Sequence, residues 1–431
     1  MSPRVSVIIA TYNWSSALRC ALTSVLAQSE QDFEVLVVGD ACTDDSAQVV
    51  AAFADPRLKW TNLAENCGSQ WGPNNHGLAA ARGAWIAYLG HDDLWTPDHL
   101  ASVIAAAEAA GTETGVGGIV LHGPPGKGVA SVAGVFGPEG CQDDDFVPPS
   151  GMVHRRALID QIGAWRNAME LAAPVDNEFF ARARAAGGVA ANGAFTVFKF
   201  TAAMRRNAYQ ARACAEQEAA LARLAADAAG VRAELATLYG QAAAGAFMRE
   251  KMRPNAHLAP GQAHRWNRQF KGVEPRYAPD DIREVAAPLR FSLEAQPVNR
   301  EWWPDERMEP FGPFRWTGPT ARSVIELPVA PDRPLALRVH ILGAVPPRWR
   351  ETISLEVHGR TVPHALSATD RGTWLLTADA PPRPAGEGPG YLQLAIAGVG
   401  DARPAEVGLH KDTRRLGVAV AWVEVAPAPG A

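Results

Sequence analysis

Between residues 5 and 110 short apolar runs rich in β-branched residues alternate with segments of helical period, and few architectures accept that rhythm. Residues 5–10 form the first run; the polar turn Thr11-Tyr12-Asn13 follows, and Leu18, Leu22, Val25 and Leu26 then recur at helical spacing. Residues 33–38 form the second run. The turn over 39–46 leads to a helix carrying Val49, Val50 and Phe53, with Asp44, Asp45 or Ser46 as its N-cap. A third short strand is expected over 58–63, then a loop over 64–77 and a helix over 78–82. Residues 85–89, bounded by Gly83 and Gly90, are the fourth strand and run directly into His91, Asp92 and Asp93. The pattern predicts an α/β domain: a mostly parallel, doubly wound sheet with helices on both faces.

In open sheets of this kind ligands bind at the carboxyl ends of the strands. Asp92 and Asp93 stand at such an end, and paired carboxylates there suit a hard divalent cation shared with phosphate oxygens. The plainer reading makes one of them the N-cap of a helix running from Pro97 to residue 110. No G-x-G-x-x-G follows the first run, which argues against the usual dinucleotide fold. Tyr12 and Asp40, at the tips of the first two strands, suit stacking on a base and accepting from its N–H or a ribose hydroxyl. A rim aromatic and a turn-forming aspartate are the competing readings.

The blocks VSVIIATYN, FEVLVVGDACTDDS and NNHGLAAARGAWIAYLGHDDLW, in that order and spacing, resemble the nucleotide-binding half of the family 2 glycosyltransferases of the GT-A fold. The resemblance runs from residue 4 to about 200. It implies that Ala10, Tyr12, Asn13, Asp40, Asn75 and Asp92 line the nucleotide-sugar site, and that Asp92 and Asp93 ligate a Mg²⁺ or Mn²⁺ bridging the donor diphosphate. Departures from the pattern are Gly39, where relatives commonly carry an acid, Cys42 for Ser, Gly90-His91 before the acid pair, and Asn74 for a frequent Arg. His91 reads as an exposed loop histidine, with metal ligation as its alternative.

Residues 148–156 begin the acceptor half in the same pattern. Asp176 opens a helix that turns Phe179, Phe180 and Ala183 inward, so an N-cap is its plain reading. By resemblance it is the general base, with Glu178 as runner-up and as a residue lining the acceptor or sugar. Inverting transfer needs one carboxylate to take the acceptor proton and no covalent sugar intermediate. Trp95 is the better of two tryptophans, the other being Trp71, for stacking on a sugar ring, although isolated tryptophans more often pack in cores. Lys127, in the Gly-rich stretch 123–140, fails the P-loop spacing and reads as part of a hairpin.

The remaining chain divides by texture. Residues 1–204 are expected to form the transferase domain, 205–285 a helical segment and linker, and 286–431 an all-β sandwich for glycan or partner binding. Leu221, Leu224, Ala228, Val231, Leu235 and Leu238 form a short heptad seam, read as a helix or helical hairpin on the first domain and leaving a homodimer open. Seven short runs after residue 286 predict the sandwich, in which Trp302, Trp303, Trp316 and Trp349 serve glycan binding or core packing. The formal charge of −5 over 431 residues, without a Lys or Arg stripe, argues against a nucleic-acid partner. Five scattered cysteines offer no zinc site and fit free thiols in a cytoplasmic protein. Neither a signal peptide nor a spanning segment is expected, and a lipid-linked acceptor would place the protein at the inner face of the membrane without an anchor. The expected function is transfer of a sugar from a nucleotide sugar to a glycan or lipid-linked acceptor. Its rivals are a non-catalytic glycan-binding or scaffold protein with a degenerate transferase domain and, more weakly, a nucleotidyltransferase.

Overall fold

The computed structural model describes residues 2–126, 128–252, 258–295, 301–303, 305–318, 322–384, 389–400, 402, 404, 407–409 and 414–429. Lys127 and Pro254 lie outside them. The chain forms two compact units, residues 1–274 and 275–431.

In the first unit the order is β1 (Val5–Thr11), α1 (Ser15–Leu26), β2 (Phe33–Gly39), α2 (Ser46–Ala52), β3 (Leu58–Asn62), α3 (Trp71–Ala80), β4 (Trp85–Tyr88), β5 (Asp93–Trp95), α4 (His99–Ala110), β6 (Thr114–His122) and β7 (Val129–Ala133). Then come β8 (Met152–Arg155), α5 (Leu158–Ile162), α6 (Val175–Gly187), β9 (Val189–Lys199), α7 (Ala208–Ala211), α8 (Ala215–Ala226), α9 (Ala228–Ala243) and α10 (Gln262–Lys271). One sheet runs β3-β2-β1-β4-β8-β6-β9-β5, with β7 on β6. The first four strands pair in parallel, as β-branched runs separated by helices require. Past β4 the sheet is mixed: β8 is antiparallel to both β4 and β6, β9 is parallel to β6, and β5 is antiparallel to β9.

β1 and β2 are buried along nearly their whole length, so both read as continuous apolar runs. Their core continues through Leu18, Leu22 and Val25 of α1 and Leu100, Val103 and Ile104 of α4. α3 begins at Trp71, well before the predicted residue 78. Its Gly77 lies so close to β1 that a Cβ there would stand 2.6 Å from Ile8 Cγ2; glycine permits the packing and hides the helix from propensity. The heptad seam packs inside this unit, where Val231 and Leu235 of α9 meet Leu94, Val120, Val132 and Phe195. The 123–140 stretch does contain a hairpin strand, β7.

The second unit holds two antiparallel sheets. One contains β10 (Leu289–Ser292), β11 (Glu306–Met308), β12 (Gly312–Trp316), β14 (Leu335–Ala344), β17 (His364–Ala368), β18 (Trp374–Ala380) and β20 (Val418–Pro427). The other contains β13 (Arg322–Leu327), β15 (Ser354–Val357), β16 (Arg360–Val362) and β19 (Leu392–Ala397). Ile325, Leu355 and Leu394 of one sheet share a core with Val339, Leu376 and Val423 of the other, which makes a sandwich. All seven predicted runs are strands; β11, β12, β16 and β17 were not foreseen, being short or charged. Trp302 is core, its Nε1 donating to Val324 O at 2.7 Å, and Trp349 is also buried. Trp303 and Trp316 are half-buried. The five cysteines are unpaired. No helix among the described residues is long and apolar enough to cross a membrane.

Candidate functional site

Because β1, β2 and β4 are parallel and adjacent, their carboxyl ends bring three turns together: Tyr12-Asn13, Asp40 and Gly90–Asp93. Two glycines explain why two expected acids are missing. A Cβ on Gly39 would strike Asn62 Oδ1 and stand 2.7 Å from the Trp60 ring. One on Gly90 would stand 2.8 Å from Asp93 Oδ2 and 3.1 Å from Asp92 Oδ1, so the acid pair itself fills that space.

Several predicted site residues hold the turns in place. Asn13, at φ 44°, accepts from the backbone N–H of Thr43 at 2.7 Å and of Asp44 at 3.2 Å. Asp40 is buried and accepts from the backbone N–H of Cys67 at 2.7 Å and Gly68 at 3.1 Å. Burial raises its carboxyl above the ordinary range, against the pull of these N–H groups. A carboxylate has about four acceptor sites, so Asp40 keeps capacity for a ligand. Asn75 does not face the site with a spare amide: it both donates to Trp165 O (2.8 Å) and accepts from Trp165 N (2.9 Å), tying α3 to the segment before α6. Ala10 contributes its carbonyl, 3.2 Å from His91 Nδ1.

His91 is buried, not an exposed loop residue, and packs against Trp14 and Tyr209. A carbonyl accepts only, so Nδ1 carries the proton in the neutral ring and Nε2 keeps its lone pair. That Nε2, Thr11 Oγ1, Trp14 Nε1 and Asn74 Nδ2 are buried without a hydrogen-bond partner among the described residues. Unmet polar atoms gathered near these strand tips fit a site that receives a polar ligand.

The acid pair divides. Asp93 is fully buried and filled: Oδ2 accepts from Lys199 Nζ at 2.6 Å and Ser150 Oγ at 2.5 Å, and Oδ1 from Phe200 N at 3.2 Å. The short β5, antiparallel to β9 with Asp93 opposite Lys199, sets this contact. Burial pushes Asp93 up and Lys199 pulls it back; three donors, one cationic, favour the ionised pair. In this structure the Asp93 oxygens are taken by Lys199, Ser150 and Phe200 N, which differs from the open, metal-facing carboxylate expected from the resemblance. Among the described residues Asp92 has no comparable side-chain partner, and its carbonyl receives Gln217 Nε2 at 3.1 Å. Burial works against its charge, yet His91, Lys199 and Lys271 hold its carboxyl below the ordinary value.

Asp176 is the second residue of α6, behind Pro174 at the cap, and accepts from Asn177 N at 3.1 Å. Burial raises its carboxyl, with Lys199 the largest opposing influence and Lys271 a smaller one. Asp92 and Asp176 thus share two lysines as electrostatic neighbours, with shifts of opposite sign.

Two further residues were misjudged. Trp95 is buried, stacks on His99 at 4.5 Å and donates from Nε1 to Ser150 O at 2.6 Å, so it is core and not a sugar platform. Glu178 is held bidentately by Arg182 (2.7 and 2.9 Å) and by Arg166 (3.0 Å), so its carboxylate is engaged by two arginines in this structure. Residues beyond 205 went unrecognised: Tyr209 of α7 lies over Tyr12 (6.1 Å between centroids) and Trp14 (5.5 Å), while Arg268 of α10 donates to Gly68 O at 2.8 Å. Nothing local in the sequence signals this; both lie on polar helical segments far from the motifs.

Among the described residues no group of three or more His, Cys, Asp or Glu side chains forms a ready metal cage. A single carboxylate with phosphate and water ligands is nonetheless a usual way to hold Mg²⁺ beside a nucleotide, and Asp92 fits it.

Residues 6–131 match the family model of glycosyl transferase family 2. This part of the first unit is thus similar to family 2 glycosyltransferases, and the match ends before β8, so Asp176 and Lys199 lie beyond it. Succinoglycan biosynthesis protein ExoO of Rhizobium meliloti is 41% identical over 114 residues, covering 26% of this chain and 32% of that protein. An uncharacterized glycosyltransferase of Nostoc sp. is 30% identical over 176 residues, 37% of this chain and 53% of its own. The matches thus span between about a third and about half of these relatives. Among solved structures, S. aureus TarS 1–349 in complex with UDP-GlcNAc is similar over 47% of this chain and 59% of that one, with 23% identity and a TM-score of 0.40.

Proposed function

We propose that the first unit transfers a sugar, with inversion, from a nucleotide-sugar donor to a hydroxyl of a glycan or lipid-linked acceptor, and that Asp176 is the base. The observation that carries this reading is the pair Asp92 and Asp176. Both lie in the field of Lys199 and Lys271; Asp92 is held below its ordinary value, and Asp176 is raised by burial against the pull of the two lysines. The family 2 match and the succinoglycan biosynthesis relative support the same class.

In the proposed step Tyr12 and Asp40 hold the base and ribose, and Asp92 lies beside the diphosphate. The acceptor oxygen attacks the anomeric carbon from the face opposite the diphosphate, and its proton passes to Asp176. The bond from the anomeric carbon to the phosphate oxygen breaks, and its electron pair stays with the nucleoside diphosphate. A Mg²⁺ or Mn²⁺ held through Asp92 would neutralise charge on that leaving group. Asp93, pinned by Lys199, fixes the turn from which Asp92 projects.

The test is release of nucleoside diphosphate from a panel of nucleotide sugars with Mn²⁺ and a mixed oligosaccharide acceptor. Asp176→Asn is expected to keep donor affinity within about twofold while lowering turnover by ~10²–10⁴. Equal loss of binding and turnover would remove Asp176 from the role, and binding without turnover in the unaltered chain would favour the glycan-binding alternative.

A further inference from the structure

Beyond the family 2 match, α10 delivers a cation to the acid cluster. Arg268 anchors the helix to the Asp40-held loop through Gly68 O at 2.8 Å, and its last turn is fastened to α7, where Asn207 N donates to Phe270 O at 2.9 Å and Gln210 Nε2 to Gly272 O at 3.2 Å. Arg206 lies over the Phe270 ring at 4.9 Å. Lys271, the last residue of α10, is held by these anchors, and Asp92 and Asp176 are its largest electrostatic neighbours of opposite charge. It is half-buried, and among the described residues no side chain hydrogen-bonds it or comes within ion-pair distance.

The charges of the cluster show what is missing. Asp92, Asp93 and Asp176 are three carboxylates; Lys199 is committed to Asp93 at 2.6 Å. An incoming diphosphate would meet Asp92 and Asp176 as like charges. Lys271 remains with three N–H donors unspent, at a helix C-terminus where a cation is favoured. Burial pulls its ammonium below the ordinary value, with Lys199 and Arg268 adding to that, and Asp92 and Asp176 offset it only in part.

We propose that Lys271 is a diphosphate-binding residue, placed by α10 to donate hydrogen bonds to the donor phosphate nearer the sugar and to remain on the nucleoside diphosphate as it leaves. This rests on the donor site proposed above. Its part in this proposal is to donate hydrogen bonds and charge, not a proton.

Calorimetric titration of the full chain with UDP, GDP, ADP and the matching monophosphates, in Mn²⁺ and again in EDTA, tests it. Lys271→Ala is expected to weaken diphosphate binding about tenfold or more and to leave monophosphate binding within about twofold, in both media, with Lys271→Arg restoring most of the loss. Lys271→Met, which keeps the aliphatic stem, covers the case in which the alanine variant melts early. An unchanged diphosphate preference in Ala and Met variants overturns the proposal, as does an equal loss for both ligand sets. If the unaltered chain binds none of the nucleotides, the donor site itself is refuted, and Lys271 with it.

Discussion

Asp92 and Asp93 are neighbours in sequence, yet among the described residues the carboxylate of one has no side-chain hydrogen bond, while the other is filled by Lys199, Ser150 and the Phe200 backbone. Removing charge from each should therefore do different things. Asp93→Asn leaves the Lys199 ammonium, 18% exposed at its side chain, without its partner, and is expected to lower unfolding free energy by about 3 kcal/mol in urea titrations. Asp92→Asn is expected to change stability by less than about 0.5 kcal/mol and to abolish strengthening of nucleoside diphosphate binding by Mn²⁺. Matching stability losses in the two variants would contradict this division of labour. Asp92 and Asp176 stand out in the sequence because each sits in a local motif. The Asp93–Lys199 pair does not, since its partners are 106 residues apart and meet through a three-residue strand. Trp95 misled because position after an acid pair says nothing about the wall of Ser150 and His99 that encloses it.

At the scale of elements, β2 is secured by a buried carboxylate as well as by apolar burial. Glu34 accepts from Ser6 Oγ at 2.8 Å and Arg82 N at 2.9 Å, and pairs with Lys59 and Arg82, each at 2.7 Å. Burial opposes its charge, but Arg82, Lys59 and Ser6 outweigh it and hold the carboxyl at about 2. A depression from 4.5 to about 2 corresponds to roughly 3 kcal/mol at about 1.4 kcal/mol per pH unit; screening at the half-exposed Lys59 and Arg82 reduces it to about 2. The folded value lies below the unfolded one, so this stability is present above pH 4.5 and is lost as pH falls through about 2. Glu34→Gln is expected to cost about 2 kcal/mol at pH 7 and almost nothing near pH 2, read by denaturant melts at both values; a pH-independent cost would contradict it. The elements bearing strong period, β1 to β4 with α1 and α4, were readable. α3 was shortened by its glycines, α7 is only four residues long, and α10 carries mostly polar residues whose partners lie in distant loops. α7 is also bounded by Asn207 and Arg212 at φ 56° and 46°, left-handed positions that no local pattern announces for such residues.

At the scale of the molecule, each unit has its own core, one built around a sheet edge that gathers chemistry and the other around two facing sheets. The class of each was legible from period alone: strand and helix alternation in the first, short strands between Pro and Gly in the second. The mixed pairing beyond β4 was less so, because a strand's direction is set by its connections and not by its composition. The central claim is that the tips of β1, β2 and β4 hold a nucleoside diphosphate against Asp92. Its most direct test is calorimetric titration of a panel of nucleoside diphosphates into the full chain and into Asp92→Asn, each with Mn²⁺ and with EDTA. The account predicts saturable binding of at least one nucleotide to the unaltered chain, strengthened by Mn²⁺ tenfold or so, with that strengthening absent in the variant. Failure of every nucleotide to bind in the presence of Mn²⁺, or identical Mn²⁺ strengthening in the variant, would contradict it.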